Sequence, residues 1–338
     1  MTAQDMRAWR IHRYGGAEVL ALDRVAVPVP GPGEILVRVA AASVNPIDWK
    51  MRAGHLRDVF PLAFPRVLGR DCAGAVIALG AGVTGIGHGQ AVAGVADPAN
   101  DGTHAECAIL PAAQAAPLPA GLAPAAAVCL CVSGLSAYIP LVEDARVRPG
   151  QRVLVHGGAG GVGNVAVQIA RHLGAEVLAT CSAANRDHCL ALGAARVIDY
   201  AAEDFVAVAG PCDVVLDTAG GAVHARSPRR APAGRRSCRA RCRPGAGRSR
   251  ARGCHGDPLA YPADPGTARA AVRLGGSGRN PTPGGDHFSL RGSSSSLPRV
   301  GDRTCPGKAD RRVRLIVVFF PNWLSLRRNS SSVHEGDC

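Results

Sequence analysis

Apolar and polar positions alternate along the first third of the chain as they do in half-buried strands. Arg7-Ala8-Trp9-Arg10-Ile11, Glu18-Val19-Leu20-Ala21-Leu22 and Glu34-Ile35-Leu36-Val37-Arg38-Val39-Ala40 carry this pattern, and Val27-Pro28-Val29-Pro30-Gly31-Pro32-Gly33 is a turn cluster between the last two. Further short strands are expected at 73–79 and 90–95, so residues 1–122 predict a compact, mainly β, barrel-like domain. Residues 123–131 and 134–142 have helical composition, and Arg148-Pro149-Gly150 closes that crossover. After Gln151, strand and helix alternate, with strands at Arg152-Val153-Leu154-Val155-His156, Ala175-Glu176-Val177-Leu178-Ala179-Thr180, Arg196-Val197-Ile198-Asp199-Tyr200 and Asp213-Val214-Val215-Leu216-Asp217. This rhythm predicts an α/β, doubly wound parallel sheet over 123–222. In the usual strand order 3-2-1-4-5-6 the first four strands surround a cofactor crevice. The strands that should follow do not come, because the pattern stops near Gly221.

The first strand of the sheet runs into Gly157-Gly158-Ala159-Gly160-Gly161-Val162-Gly163, and a helical run from Asn164 to Leu173 follows. Glycine in that place allows a tight turn, close approach of the backbone to a pyrophosphate, and packing of the helix on the sheet. Free amides at the helix start face the anionic phosphates. Strand, loop, helix and next strand are all present, which marks Gly158, Ala159, Gly160, Gly161, Val162 and Gly163 as the pyrophosphate cradle of a dinucleotide.

The 338 residues carry a formal charge of +13 and a pI near 9.7, which would suggest an anionic partner. The average hides a break. Residues 1–222 hold 16 Lys and Arg against 19 Asp and Glu, a net −3, whereas residues 223–338 hold 23 against 7, a net +16. From His224 to Pro258, 35 consecutive residues contain no Val, Ile, Leu, Met, Phe, Tyr or Trp. Such a stretch cannot bury enough apolar surface to offset the entropy of ordering it. The twelve cysteines show no Cys-x-x-Cys pair and read as reduced thiols of a cytoplasmic protein. No secretory signal is expected at the N-terminus, and the longest apolar run, Leu315 to Leu326, is short of the roughly 20 residues that span a bilayer and is broken by Pro321.

Five ordered motifs give the chain a family likeness: Ser43-Val44-Asn45-Pro46-Ile47-Asp48-Trp49-Lys50, then Leu68-Gly69-Arg70-Asp71-Cys72-Ala73-Gly74, the strand and glycine loop above, Val197-Ile198-Asp199-Tyr200, and Asp213-Val214-Val215-Leu216-Asp217-Thr218-Ala219-Gly220-Gly221. Over about 6–222 the chain resembles the zinc-independent quinone oxidoreductase branch of the medium-chain dehydrogenase/reductases. The resemblance implies a GroES-like catalytic domain at 1–122 and a Rossmann domain at 123–222, with hydride transfer from NADPH to a quinone or an α,β-unsaturated carbonyl. It implies that Asn45 and Ser136 lie near the nicotinamide or substrate and that Asp48 belongs to the same loop. Lys50 stands where some relatives have tyrosine and could protonate an enolate, with water as the competing donor. Turn and helix-cap chemistry explains Asn45-Pro46 and Asp48 about as well. His156 is read as a packed residue at a strand end, without a catalytic role.

No metal is expected. Zinc-dependent relatives have Gly-His-Glu where this chain has Gly69-Arg70-Asp71 and a cysteine where Asn45 stands, while catalytic zinc needs about three protein ligands. The cofactor expected is NADPH. The second sheet strand ends in Thr180-Cys181-Ser182-Ala183-Ala184-Asn185-Arg186, with no acid to hold a ribose 2′-hydroxyl or repel a 2′-phosphate, and with Arg186 available to pair with that phosphate. By resemblance Ser182 and Tyr200 line the same pocket, and Asn185 takes the place of a frequent lysine.

Residues 223–338 do not continue the family pattern, and arginine, alanine, glycine, proline and serine dominate them. We expect a disordered tail whose reading frame is lost between about Gly221 and Pro228, leaving the Rossmann sheet incomplete. The coincidence of three changes in one place, in charge, apolar content and family pattern, motivates this reading. Two alternatives accompany it: an inactive product that keeps partial NADPH binding, and an arginine-rich arm for nucleic acid, which the scarcity of aromatic residues for base stacking disfavours. Relatives dimerise through the edge of the Rossmann sheet, so a homodimer is expected only where the C-terminal strands are intact.

Overall fold

A computed structural model describes residues 5–220, 222–227, 238–241 and 314–315. The catalytic part is built from β1 (Asp5–Ile11), β2 (Leu20–Ala26), β3 (Glu34–Ala42), α1 (Pro46–Arg52), β4 (Arg66–Val67), β5 (Asp71–Leu79), β6 (Ala91–Val95), β7 (Cys107–Pro111) and β8 (Ala115–Pro117). The first three strands lie where alternation places them, except that residues 17–19 form a turn of 3-10 helix before β2 begins. The short strands β4, β7 and β8 have too few residues for a visible period and escape the sequence reading. Strands β2-β1-β4 form one sheet and β3-β5-β6-β8 the main one, with β7 on the other edge of β3. Ile35, Val37, Val76, Val92 and Leu110 close a dry core between them.

Two helices, α2 (Pro124–Val128) and α3 (Val132–Tyr138), lead to the second part. The helix of α3 continues over Ile139–Asp144 with wider π-type turns, in which the Ala145 amide bonds the Pro140 carbonyl five residues back. Pro140 has no N–H to give to a regular helical ladder, which accounts for the irregularity at that point. This helix has two apolar faces. Leu135 packs with Ala41, Ala73 and Val95 of the catalytic part, and Ala137 and Leu141 pack with Val153, Val155 and Ile169 of the next.

The second part contains β9 (Arg152–His156), α4 (Gly161–His172), β10 (Glu176–Cys181), α5 (Arg186–Leu192), β11 (Arg196–Asp199), α6 (Phe205–Ala209), β12 (Val214–Asp217), α7 (Ala222–Arg226) and β13 (Cys238–Arg241). Its sheet has the order β11-β10-β9-β12-β13, all parallel. This is the order expected for a doubly wound nucleotide-binding sheet. Strands are buried on both faces, by Val153, Val155 and Val167 on one side and by Leu154, Ile198, Phe205 and Val215 on the other.

Two features at the end of the sheet add to what the sequence pattern announced. Structure does not stop at Gly221: α7 follows, held by His224 to Asp217 at 3.0 Å, Arg226 to Asp204 at 2.7 Å and Ser227 to His156 at 3.1 Å. The tail is also not wholly without elements, since β13 pairs with β12 and β14 (Arg314–Leu315) pairs with Ala41 and Ala42 of β3. The free edge of a strand offers a row of N–H and C=O groups to any extended segment, whatever its side chains, so composition gave no sign of these pairings. The remainder of the expected disordered tail lies outside the described residues.

Candidate active site and dinucleotide cradle

The glycine loop leaves β9 with Gly157 at φ 70°, a conformation that side chains rarely adopt. A Cβ on Gly163 would lie 2.0 Å from the Gly157 carbonyl oxygen, and one on Gly158 would lie 2.8 Å from the Ala179 Cβ. These contacts fix why the loop is glycine: helix α4 and strands β9 and β10 meet there without room for a side chain. The Gly158 amide bonds the Thr180 carbonyl at 2.9 Å, and the Asn164 amide bonds Gly160 at 2.7 Å, so α4 starts at Gly161 with Gly160 as its cap. The first-turn amides of a helix have no partner within it, and here they are those of Gly161, Val162 and Gly163. Backbone donors, the positive end of α4 and a surface of glycines with only Ala159 and Val162 among them fit a pyrophosphate.

The end of β10 bears Ser182, which accepts from Asn185 Nδ2 at 3.0 Å across a turn of 3-10 helix. Arg186 opens α5 with an exposed side chain, and Tyr200 is exposed beyond β11. The structure thus groups Ser182, Asn185 and Arg186 on one turn, at the same end of the sheet as the glycine loop.

His156 is fully buried at the end of β9. Its ring nitrogens face Thr180 Oγ1 at 3.2 Å and Ser227 Oγ at 3.1 Å, and its ring stands edge-on to Phe205 at 4.7 Å. Burial pushes its pKa down to about 4, opposed by the nearby Asp217. The ring is packed at the strand end, where burial favours its neutral form.

The catalytic half is made differently, from buried polar side chains. The Asn45 amide nitrogen of the main chain donates to Asp48 Oδ2 at 2.6 Å, and Pro46 opens α1. The Asn45 side chain donates through Nδ2 to Ser43 Oγ at 2.8 Å and to Asp71 Oδ1 at 3.2 Å, and Ser43 itself donates to Asp71 Oδ1. Asp71 Oδ2 accepts the amide of Val132, the first residue of α3. His104 Nε2 donates to the Ser43 carbonyl at 3.0 Å, and Thr103 donates to the Asp71 carbonyl at 2.9 Å. Gly69 at φ 104° is tight against both, since a Cβ there would lie 2.5 Å from Thr103 Oγ1.

Ser43, Asn45, Asp48, Arg70, Asp71, Thr103 and His104 are therefore one buried group. Burial raises the pKa of Asp48, and His104, the Asn45 amide and Arg70 oppose that rise. Burial likewise raises Asp71, to about 6, while Ser43 and Val132 oppose it and the Asp48 charge adds to it. Asn45 and Asp48 were expected in the site and are brought together. Ser136 is half-buried one turn along α3 from Val132. Lys50 instead holds its ammonium 5.7 Å from the centre of the Trp49 ring. Sequence reading missed Ser43, Asp71, Thr103 and His104. The signal that could have found Asp71 is a charged residue opening an otherwise apolar strand, Asp71–Leu79.

Among the described residues no group of three or more His, Cys, Asp and Glu could hold a metal ion, and none of their helices is long and apolar enough to cross a membrane. A GroES-like barrel followed by a Rossmann sheet with a glycine-loop cradle is the architecture of the medium-chain dehydrogenase/reductase superfamily. The alcohol dehydrogenase GroES-like domain family matches residues 31–120, and the zinc-binding dehydrogenase family matches residues 161–231. A quinone-oxidoreductase homolog of the chloroplast of Spinacia oleracea is 36% identical over 217 residues, covering 62% of this chain and 66% of the relative. A 2-methylene-furan-3-one reductase of Solanum lycopersicum is 36% identical, covering 64% and 58% of the two chains. The solved quinone oxidoreductase of Coxiella burnetii superposes with a TM-score of 0.62 at 35% identity, covering 65% of this chain and 70% of its own. The chain belongs to the quinone oxidoreductase family, and the matches span 58–70% of these relatives' lengths.

Proposed function

We propose that the chain is an NADPH-dependent, zinc-independent reductase that transfers a hydride to a quinone or an α,β-unsaturated carbonyl. The observation that carries the cofactor choice is the turn after β10. It offers Ser182, Asn185 and an exposed Arg186, and no carboxylate stands among residues 182–186. A 2′-phosphate gains charge-assisted hydrogen bonds there, whereas a bare ribose finds no acid to accept its hydroxyl. When bound, the cofactor supplies the hydride; the protein binds, orients and excludes water. Residues 157–163 hold the pyrophosphate through main-chain amides, and Asn45 and Ser136 line the nicotinamide and substrate end. Lys50 or water delivers the proton to the reduced product.

Independence from zinc is supported by the donor set. A catalytic zinc site takes about three nitrogen, sulfur or carboxylate ligands. Here an amide, a guanidinium and a carboxylate already committed to three donors stand at Asn45, Arg70 and Asp71. Activity unchanged by a chelator, with no zinc found by elemental analysis, is the expected result.

The quinone or enone class rests on the names of the relatives above. The direct test is NADPH fluorescence titration of the full chain, followed by loss of 340 nm absorbance on adding a quinone. A second reading is NADPH binding without turnover. It is favoured by the family match ending at residue 231, where the charge and composition of the chain also change. We read that change as a lost reading frame. Translation of the source gene in all three frames should restore apolar strands after Gly221; a gene with no such frame contradicts it.

A further inference from the structure

We propose that Asp71 is a positioning residue that sets the Asn45 side-chain amide in one orientation and seats the start of α3, the helix carrying Ser136, against it. This inference rests on the reductase reading for its kinetic consequence, but its geometric content stands apart from it. Asp71 opens β5 and is 1% exposed. Its Oδ1 accepts from the Ser43 hydroxyl and from Asn45 Nδ2, and its Oδ2 accepts from the Val132 amide, partners 28, 26 and 61 residues away in sequence. Three donors converge on one buried carboxylate, and each belongs to a segment near the proposed reaction centre.

The consequence for Asn45 is a matter of donor count. A side-chain amide has two N–H donors and one carbonyl acceptor. Here Nδ2 lies 2.8 Å from Ser43 Oγ and 3.2 Å from Asp71 Oδ1, two acceptors hydrogen-bonded to each other, so one N–H is shared between them as a three-centre bond. A flipped amide would aim its oxygen at a carboxylate, so the orientation is fixed by charge. The second N–H, turned about 120° away, remains to meet another group. Asn45 can thus donate that N–H, from a fixed orientation, to an oxygen of the cofactor or substrate.

The test uses the full chain with Asp71→Asn and, as a milder change, Ser43→Ala, each measured by side-chain amide NMR and by steady-state kinetics with NADPH and 1,4-benzoquinone. The Asn45 NH2 pair, assigned from its disappearance in Asn45→Asp, should be shifted and protected from exchange in the parent. It should lose both properties in Asp71→Asn and one part of them in Ser43→Ala. We expect kcat to fall at least tenfold in Asp71→Asn with the NADPH dissociation constant within twofold of the parent. An Asn45 NH2 pair that is unchanged in both variants overturns the proposal, as does a loss in Asp71→Asn that falls on NADPH affinity and leaves kcat intact. A parent that shows the protected NH2 pair, lost in the variants, yet oxidises no NADPH supports the positioning and contradicts the reductase reading alone.

Discussion

The two halves of the site are built from opposite materials. The cradle at residues 157–163 contains no ionisable side chain, and its chemistry is main-chain amides brought close by missing Cβ atoms. The catalytic half buries Asp48, Arg70, Asp71 and His104 together and is fixed by side chains that meet from distant parts of the chain. The difference teaches where each half is fragile. A cradle of backbone fails by steric intrusion and is indifferent to pH, whereas a buried polar group fails by loss of a partner and responds to protonation.

The largest effect should come from breaking the cradle. Gly163→Val places atoms against the Gly157 carbonyl, where even a Cβ would be 2.0 Å away. We expect no measurable NADPH binding by fluorescence, with overpacking strain of about 1–3 kcal/mol or more seen in denaturant unfolding. Next is the joint between the halves. Leu141→Ala empties a fully buried site on the π-type continuation of α3 and should lower stability by about 3 kcal/mol in urea titration.

The third prediction sharpens the contrast in pH. His156 is depressed to about 4, so its contribution is whole above the ordinary value near 6.5 and is lost as pH falls from there towards 4. Asp71 is raised to about 6, so its contribution is whole below the ordinary value near 3.8 and is lost as pH rises through about 6. The two slopes oppose each other between pH 4 and 6. His156→Gln should leave a protein whose stability falls as pH rises across that window, and Asp71→Asn one whose stability falls as pH drops, each by on the order of 2–3 kcal/mol relative to the parent. Urea midpoints at half-unit pH intervals check this, and parallel profiles for both variants would contradict it. The smallest effect is Arg186→Ala, expected to weaken NADPH about tenfold while leaving NADH unchanged, as for loss of one charge-assisted bond at an exposed site.

Legibility in the sequence follows the same division. Strand, loop and helix around Gly157–Gly163 are contiguous in the sequence, so the cradle and the order β11-β10-β9-β12 could be read from the chain. The pairing of Ser43 with Asp71, or of Asp71 with Val132, depends on β3, β5 and α3 meeting in space, and no local period announces it. The place of the Lys50 ammonium over Trp49 is likewise set by α1 in space and not by any local period. Short strands such as Cys107–Pro111 escaped because five residues with an alanine and a cysteine among them show no alternation, while β3 supplies their partner. At the other end, α7 and β13 are held by His156, Asp217 and the edge of β12, none of which lies in the segments that they order.

The central claim is that this chain holds NADPH in a cradle of backbone, with preference set by the turn after β10. Calorimetric titration of the full chain with NADPH and with NADH in the same buffer tests it most directly. One-to-one binding of NADPH, at least tenfold tighter than NADH, is the predicted result. Equal affinity for the two, or no heat with either, would contradict it.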